Sequence, residues 1–245
     1  MIAKTIKLSV TNCYLLKADR GYILVDTAYD WEWDAFCKEL GNAGVGFGDL
    51  ECLILTHHHD DHAGLLNQLV AQNPGIKIVM SKHAKDLLAK GRNDWTKGGG
   101  YLNRRINALV MLKKIFDKKW TQTFPPYVTR EDDILVSQET SLRELGIGLD
   151  GKIIETPGHS SDSISVALPD GDWLVGDAAA NMLQFAGTKY CVIFIQDLEQ
   201  YYRTWTKILK AGAKQILPAH GRLFPADELR RHINRNKKSD MVLFH

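Results

Sequence analysis

Residues 56–64 read THHHDDHAG and hold four of the chain's nine histidines and two aspartates, directly behind an apolar run, Cys52-Leu53-Ile54-Leu55. Nothing else in the sequence constrains the fold so strongly. A short aliphatic run of this kind reads as a buried strand. In open α/β sheets, ligands gather outside the carboxyl ends of the strands. His57 and His59 are two residues apart, so in extended backbone their side chains point to the same side. Asp61 and His62 are adjacent, and in a turn both can reach a second position close by.

Three further donors follow apolar runs in the same way. His159 follows KIIETPG, Asp177 follows DWLVG, and His220 follows KQILPA. Alone, each reads as an ordinary hydrogen-bonded histidine or a turn aspartate. Together with the histidine-rich stretch, they point to separate strand ends converging on one site. Imidazole with carboxylate suits zinc, and also iron or manganese. Seven donors exceed one tetrahedral ion and suit two ions sharing a bridge.

The rest of the chain alternates strand-like and helix-like segments. TIKLSV, CYLLKA, YILVDT, LECLIL and IKIVM read as strands in the first third, and KIIE, SISVAL, DWLV and KQIL later. DWEWDAFCKELGNAG, a segment from Leu65 to Val70, DLEQYYRTWTKILKAG and a basic terminal stretch at 226–238 read as helices. This interleaving predicts an α/β protein with helices covering the sheets. The 245 residues, 44% hydrophobic, are read as one domain spanning 1–245.

Four scattered cysteines without a CxxC pair suggest a reducing compartment. The N-terminal stretch does not read as a secretory signal, and a cytoplasmic protein is expected. No run approaches the ~18 apolar residues of a membrane span, so no membrane partner is expected. The net charge of +2 gives no bulk case for nucleic acid.

One segment departs from this rhythm. Lys82–Lys119 has eleven Lys and Arg against three Asp and Glu, a net +8, while the remainder carries −6. It is expected to form a basic, largely helical insert or cap at about 82–130. Ile106, Leu109, Leu112 and Phe116 could line one helix face, and Gly98-Gly99-Gly100 could act as a flexible joint. The segment reads as a helix with a solvated basic face, or as a mobile cap drawing in anionic substrates. In the second reading Arg104 and Arg105 contact substrate. The apolar face could instead form an oligomer interface.

THHHDDH, TPGHS, VGDA and PAHG, in this order and with TNCYLL and YILVDTA before them, resemble the metallo-β-lactamase superfamily. The resemblance implies a four-layer αβ/βα sandwich: two mixed β-sheets packed together, with helices outside. It implies that His57, His59 and His159 bind a first divalent metal, that Asp61, His62 and His220 bind a second, and that Asp177 bridges both. Zinc is the first expectation for both ions. Asp61 would also orient the attacking hydroxide and pass on its proton. Asp26 would support the site from behind; His58 would orient the loop, and Asp60 would act in the shell behind the ligands.

The implied activity is metal-dependent hydrolysis of a carboxylic ester, thioester or lactone in a small-molecule substrate, possibly anionic. The bridging Asp177 argues against β-lactam hydrolysis, since true β-lactamases of the superfamily lack it. The lactonases of the family use a tyrosine near the metals, for which Tyr190 is a candidate. The alternatives are an iron-dependent persulfide dioxygenase-like activity and a phosphodiesterase of the same superfamily.

Overall fold

The computed structural model describes residues 2–95, 98–117, 119 and 121–244. Lys97, Lys118 and Trp120 of the basic segment lie outside the described residues. The first half of the chain runs β1 (Ile2–Lys7), β2 (Asn12–Lys17), β3 (Tyr22–Val25), α1 (Trp33–Asn42) and β4 (Leu50–Ile54). It continues with α2 (Asp60–Ala63), α3 (Leu66–Gln72), β5 (Lys77–Ser81), α4 (Ala84–Lys90), β6 (Gly100–Tyr101), α5 (Arg104–Phe116) and β7 (Ile134–Val136). The second half runs β8 (Thr140–Ser141), β9 (Lys152–Glu155), β10 (Ile164–Ala167), β11 (Asp172–Gly176) and β12 (Phe194–Ile195). Then come α6 (Leu198–Lys210), β13 (Gln215–Pro218), β14 (Phe224–Pro225), α7 (Asp227–His232) and β15 (Val242–Leu243).

Two mixed six-stranded sheets result, ordered β1-β2-β3-β4-β5-β7 and β14-β13-β11-β10-β9-β8. Side-chain alternation explains how they pack. On β2, Tyr14 and Leu16 point toward the second sheet and join Ile153, Val166, Leu174 and Leu217 in a shared core between the sheets. Leu15, between them in sequence, points outward to Phe36 of α1, Leu69 of α3 and Leu88 of α4. On the far side, Trp173 and Ile216 meet α6, which turns Leu198, Tyr201, Tyr202, Trp205 and Ile208 inward at helical spacing. Helix, sheet, sheet and helix therefore form four layers. Among the described residues no helix is long and apolar enough to cross a membrane.

The basic segment has helical and extended parts. Asn103 caps α5 by accepting a hydrogen bond from the Ile106 amide at 3.0 Å. Ile106 and Val110 of α5 are buried against the α6 layer. β6 forms a small antiparallel sheet between β12 and β15. In place of the flexible joint expected at Gly98-Gly99-Gly100, the glycines join backbone pairing with the C-terminal strand. The Phe244 amide donates to the Gly99 carbonyl at 2.8 Å, and Gly100 is buried in β6 opposite Ile195 and Leu243. Glycine at 100 serves close approach: a Cβ there would collide with the Val242 carbonyl oxygen.

The terminal helix is also shorter than its sequence pattern. It stops at His232, and Asn234 takes a left-handed conformation. This turn draws Asn236 into the core, where its side chain donates to the Thr188 carbonyl at 3.0 Å and its amide donates to the Tyr202 hydroxyl at 3.1 Å.

Gly100→Ala should destabilise the fold by about 1–3 kcal/mol, the usual cost of forcing atoms into a packed space. Thermal unfolding measures this. An unchanged midpoint would mean that β15 gives way freely and does not clamp the segment.

Candidate metal centre

The donors arrive where the sequence places them, just beyond the carboxyl ends of β4, β9, β11 and β13. Close approach of the two sheets brings them together. Gly176, which ends β11 at a φ of 51°, leaves no room for a side chain because the Thr56 hydroxyl lies against it. Thr56 opens the THHHDDH stretch of the first sheet, and Asp177 follows Gly176 on the second. The contact thus sets histidine loop and aspartate side by side.

Three sets of donor atoms each converge to within 4.8 Å: His57 with His59 and His159; His57 with His62 and Asp177; and Asp61 with His62 and His220. His159 Nε2 lies 3.1 Å from His57 Nε2 and 2.9 Å from His59 Nδ1. His220 Nε2 lies 3.3 Å from Asp61 Oδ2 and 3.1 Å from Asp177 Oδ1. Asp177 faces both groups. Its Oδ2 is 3.3 Å from His159, while Oδ1 is 3.5 Å from His62 as well as meeting His220. The Tyr201 hydroxyl donates to the Asp177 carbonyl at 3.0 Å and holds that turn in place.

Hydrogen bonds behind the rings decide which nitrogen faces inward as a lone pair. His159 Nδ1 bonds the Phe194 carbonyl at 3.0 Å, and His220 Nδ1 bonds the Val10 carbonyl at 2.9 Å. A carbonyl can only accept, so both rings carry a proton on Nδ1. His62 Nδ1 meets Asp26 Oδ2 at 3.0 Å. The Thr56 hydroxyl donates to the same oxygen at 2.9 Å, leaving its own oxygen to accept from His57 Nδ1 at 3.1 Å. In their neutral forms all four rings therefore turn a bare Nε2 toward the centre.

Bare nitrogens about 3 Å apart repel unless a cation lies between them. Two nitrogens each 2.0–2.1 Å from one tetrahedral zinc would sit roughly 3.3 Å apart. In addition, His62 Nε2 and Asp177 Oδ1 are buried without a hydrogen-bond partner. The donor set fits divalent metal.

The two groups differ in charge. Burial, reinforced at His57 and His59 by neighbouring imidazoles, holds His57, His59 and His159 below the usual imidazole range. Burial also opposes charge on His62, but Asp26, Asp61 and Asp177 outweigh it and raise its pKa. Asp177 and Asp61 overcome burial in the same way at His220 and push it up to about 10. Burial raises Asp61 and Asp177, yet the facing imidazoles hold both below the usual carboxylate range. Burial therefore dominates at the first group, whereas facing opposite charges dominate at the second.

Residues behind the cluster tie its loop down. Asp26, at a strained φ of 62°, accepts the Thr56 amide through Oδ1 at 2.8 Å besides its bonds to Thr56 Oγ1 and His62. His58 points away from the donors: its amide and Nδ1 both bond Asp162 at 2.9 Å, and its Nε2 accepts from the Asp94 amide at 3.1 Å. Asp60, expected among the groups behind the ligands, instead exchanges two hydrogen bonds with Asn93 at 2.7 and 2.8 Å. Burial and the Asp61 charge push Asp60 up to about 7, although the Asn93 hydrogen bond works against this.

Three residues expected to contact substrate are placed away from the cavity over the cluster. The Tyr190 ring packs on Phe224 and His232, with centroids 4.4 and 5.1 Å away, and does not line the cavity over the cluster. Arg104 and Arg105 are exposed on the first turn of α5 and do not line it either. The helix turns Ile106 and Leu109 of the expected apolar face inward with Val110, and leaves Leu112 and Phe116 outside together with those charges. Asp162, Thr56 and Asn93 were missed. Asp162 follows His159 by three residues and reads as a turn aspartate; the two supporting carbonyls leave no sequence signal at all.

Above the cluster is a cavity of about 270 Å³. Its lining includes Asp61, Asp177 and His220 of the cluster together with Trp95, Ile106, Leu109, Val110 and Phe194. Lys113 is the only Lys or Arg among its described lining residues.

A family model described as "Metallo-beta-lactamase superfamily" matches residues 6–220. The chain is 25% identical over 230 residues to the probable metallo-hydrolase YqjP of Bacillus subtilis, covering 85% of this chain and 66% of that one. It is 26% identical over 240 residues to the beta-lactamase-like protein 2 homolog of Drosophila melanogaster, covering 95% and 67%. The chain thus spans about two thirds of the length of these relatives. Among solved structures, BJP-1, a subclass B3 metallo-beta-lactamase of Bradyrhizobium japonicum, superposes with a TM-score of 0.60 at 18% identity. That match covers 88% of this chain and 74% of the other, and it speaks to fold alone.

Two outcomes are expected. Asp26→Asn should weaken metal binding about 10–100-fold, the usual effect of removing a partner behind a ligand, as read by competition with a chelating dye. Metal entering the Asp61–His62–His220 group must displace protons held below a pKa of about 10 at His220. Binding there should therefore release protons at pH 7, strengthen as pH rises and weaken as pH falls. Calorimetry in buffers of different ionisation enthalpy checks this; a buffer-independent heat would contradict it.

Proposed function

Because the chain belongs to the metallo-beta-lactamase superfamily, its family model matching residues 6–220, we propose that the cluster holds two divalent ions, zinc in the first instance, and hydrolyses a carboxylic ester, thioester or lactone. The observation that carries the reading is Asp177, which turns one carboxylate oxygen to each histidine group. His57, His59 and His159 would hold one ion; Asp61, His62 and His220 would hold the other. When bound, such a pair supplies a water deprotonated near neutral pH and an electrophile for the attacked oxygen.

The chain's own residues supply the rest. Asp61, kept ionised by His62 and His220 against the pull of burial, is a proton acceptor on the cavity wall. The hydrogen bonds from His159 and His220 to fixed carbonyls prevent the rings from turning as charge develops. Trp95, Phe194 and the inward stripe of α5 exclude water and accept an apolar acyl portion.

The same wall favours a carboxylic substrate over a phosphodiester. A dianionic or nucleic-acid substrate would call for several cations, and the lining offers Lys113. The free cysteines, three of them buried, suit a reducing compartment and support a cytoplasmic setting.

Asp177→Ala and His59→Ala should each lower turnover of an apolar acyl thioester or lactone by about 10²–10³-fold or more, with circular dichroism unchanged. Asp61→Asn should act mainly on kcat. Full turnover in these variants, once metal content has been measured, would refute the reading. One iron per chain with oxygen uptake would replace it with a dioxygenase.

A further inference from the structure

The outer surface of α5 carries an exposed apolar group that the cavity does not use. Met111, Leu112, Ile115 and Phe116 all face solvent, the last two at 71% and 79% exposure. They alternate along one helix with Ile106, Leu109 and Val110, which line the cavity. Two other exposed aromatic residues also adjoin cavity-lining positions. Trp31, 43% exposed, stacks on Tyr29 with centroids 5.4 Å apart, and Phe185, 75% exposed, follows Met182 and Leu183. Large apolar side chains thus stand outside the same three segments that wall the cavity.

Exposed basic groups share α5 with these apolar side chains and reach Trp31. Arg104, Arg105, Lys114 and Lys119 are exposed, and Lys119 Nζ lies 4.6 Å over the Trp31 ring. The segment that carries α5 has a net +8 in a chain whose remainder carries −6. Apolar side chains tipped with Phe and Trp and flanked by Lys and Arg suit insertion at the boundary between headgroups and acyl chains of an anionic bilayer. A second copy of this chain would bring the same positive charge against itself, so charge complementarity favours the lipid surface.

We propose that the outer face of α5, with Trp31 and Phe185, docks this chain on the surface of an anionic membrane, bringing the rim of the apolar cavity to the lipid. Among the described residues no helix is long and apolar enough to cross a membrane, and surface docking needs a face and not a length. The proposal stands apart from hydrolysis, since docking needs neither metal nor turnover.

The test is co-sedimentation of the full chain, with and without chelator, on vesicles of phosphatidylcholine alone or mixed with phosphatidylglycerol. Binding to the anionic vesicles should be about tenfold or more stronger than to the neutral ones and should fall as salt rises. Ile115→Ser combined with Phe116→Ser should abolish it, and Arg104→Glu combined with Arg105→Glu should weaken it, both leaving the chelator-treated and untreated chains alike. No retention on anionic vesicles, or retention that the serine variant does not change, would overturn the proposal. So would a concentration-dependent dimer in sedimentation velocity that the serine variant dissociates, because a second copy would then cover the face.

Discussion

Everything in this structure depends on how the far nitrogens of four buried imidazoles are held. A histidine ring offers two nitrogens, and whichever one donates leaves the other as a lone pair. Here Phe194, Val10, Thr56 and Asp26 take the outer protons, so the inner lone pairs of His159, His220, His57 and His62 have no freedom to turn away. Two carboxylates join them. Burying such donors side by side is costly unless a cation is present, and this cost is what makes the arrangement informative about chemistry.

The supporting atoms are spread through the whole fold. Val10 lies between β1 and β2, and Asp26 follows β3; both belong to the first sheet's half. Phe194 lies in β12, which pairs with β6 of the basic segment. The core shared by the sheets, from Tyr14 and Leu16 to Leu174 and Leu217, therefore does more than stabilise. It holds the halves in the one register at which Thr56 meets Gly176 and the donors converge. The basic segment is joined to the same machinery through Asn93 and the Asp94 amide, which bond Asp60 and His58 of the ligand loop. An element that reads as a free cap is fastened to the site at one end and to β12 and β15 at the other. That arrangement fits a wall better than a swinging lid.

Much of the architecture was legible beforehand because it rests on local chemistry. Aliphatic runs of four to six residues specify strands. The apolar spacing of α6 specifies a helix with one buried face. Histidines and aspartates directly behind strands announce a site at a sheet end. The readings that failed share a different origin. Gly98–Gly100 read as a hinge because glycine permits motion, but the same lack of a side chain permits the tight pairing of Gly100 with β15. The pattern at 226–238 reads as one helix, yet burial of Asn236 ends it early. Arg104 and Arg105 attract attention by charge, whereas the apolar stripe of α5 decides which way that helix faces.

By itself the sequence determined the inventory: seven imidazole and carboxylate groups behind strands, short apolar strands interleaved with helices, and a basic segment set in an otherwise acidic chain. Spacing along the chain carries such information, because strand and helix periods are local. Only the tertiary structure decided which nitrogen of each ring faces inward, that Asp162 holds His58 and Asn93 holds Asp60, and that Tyr190 packs away from the cavity. Those outcomes depend on carbonyls and side chains distant in sequence, and no local period encodes a contact between groups brought together only when the two sheets close.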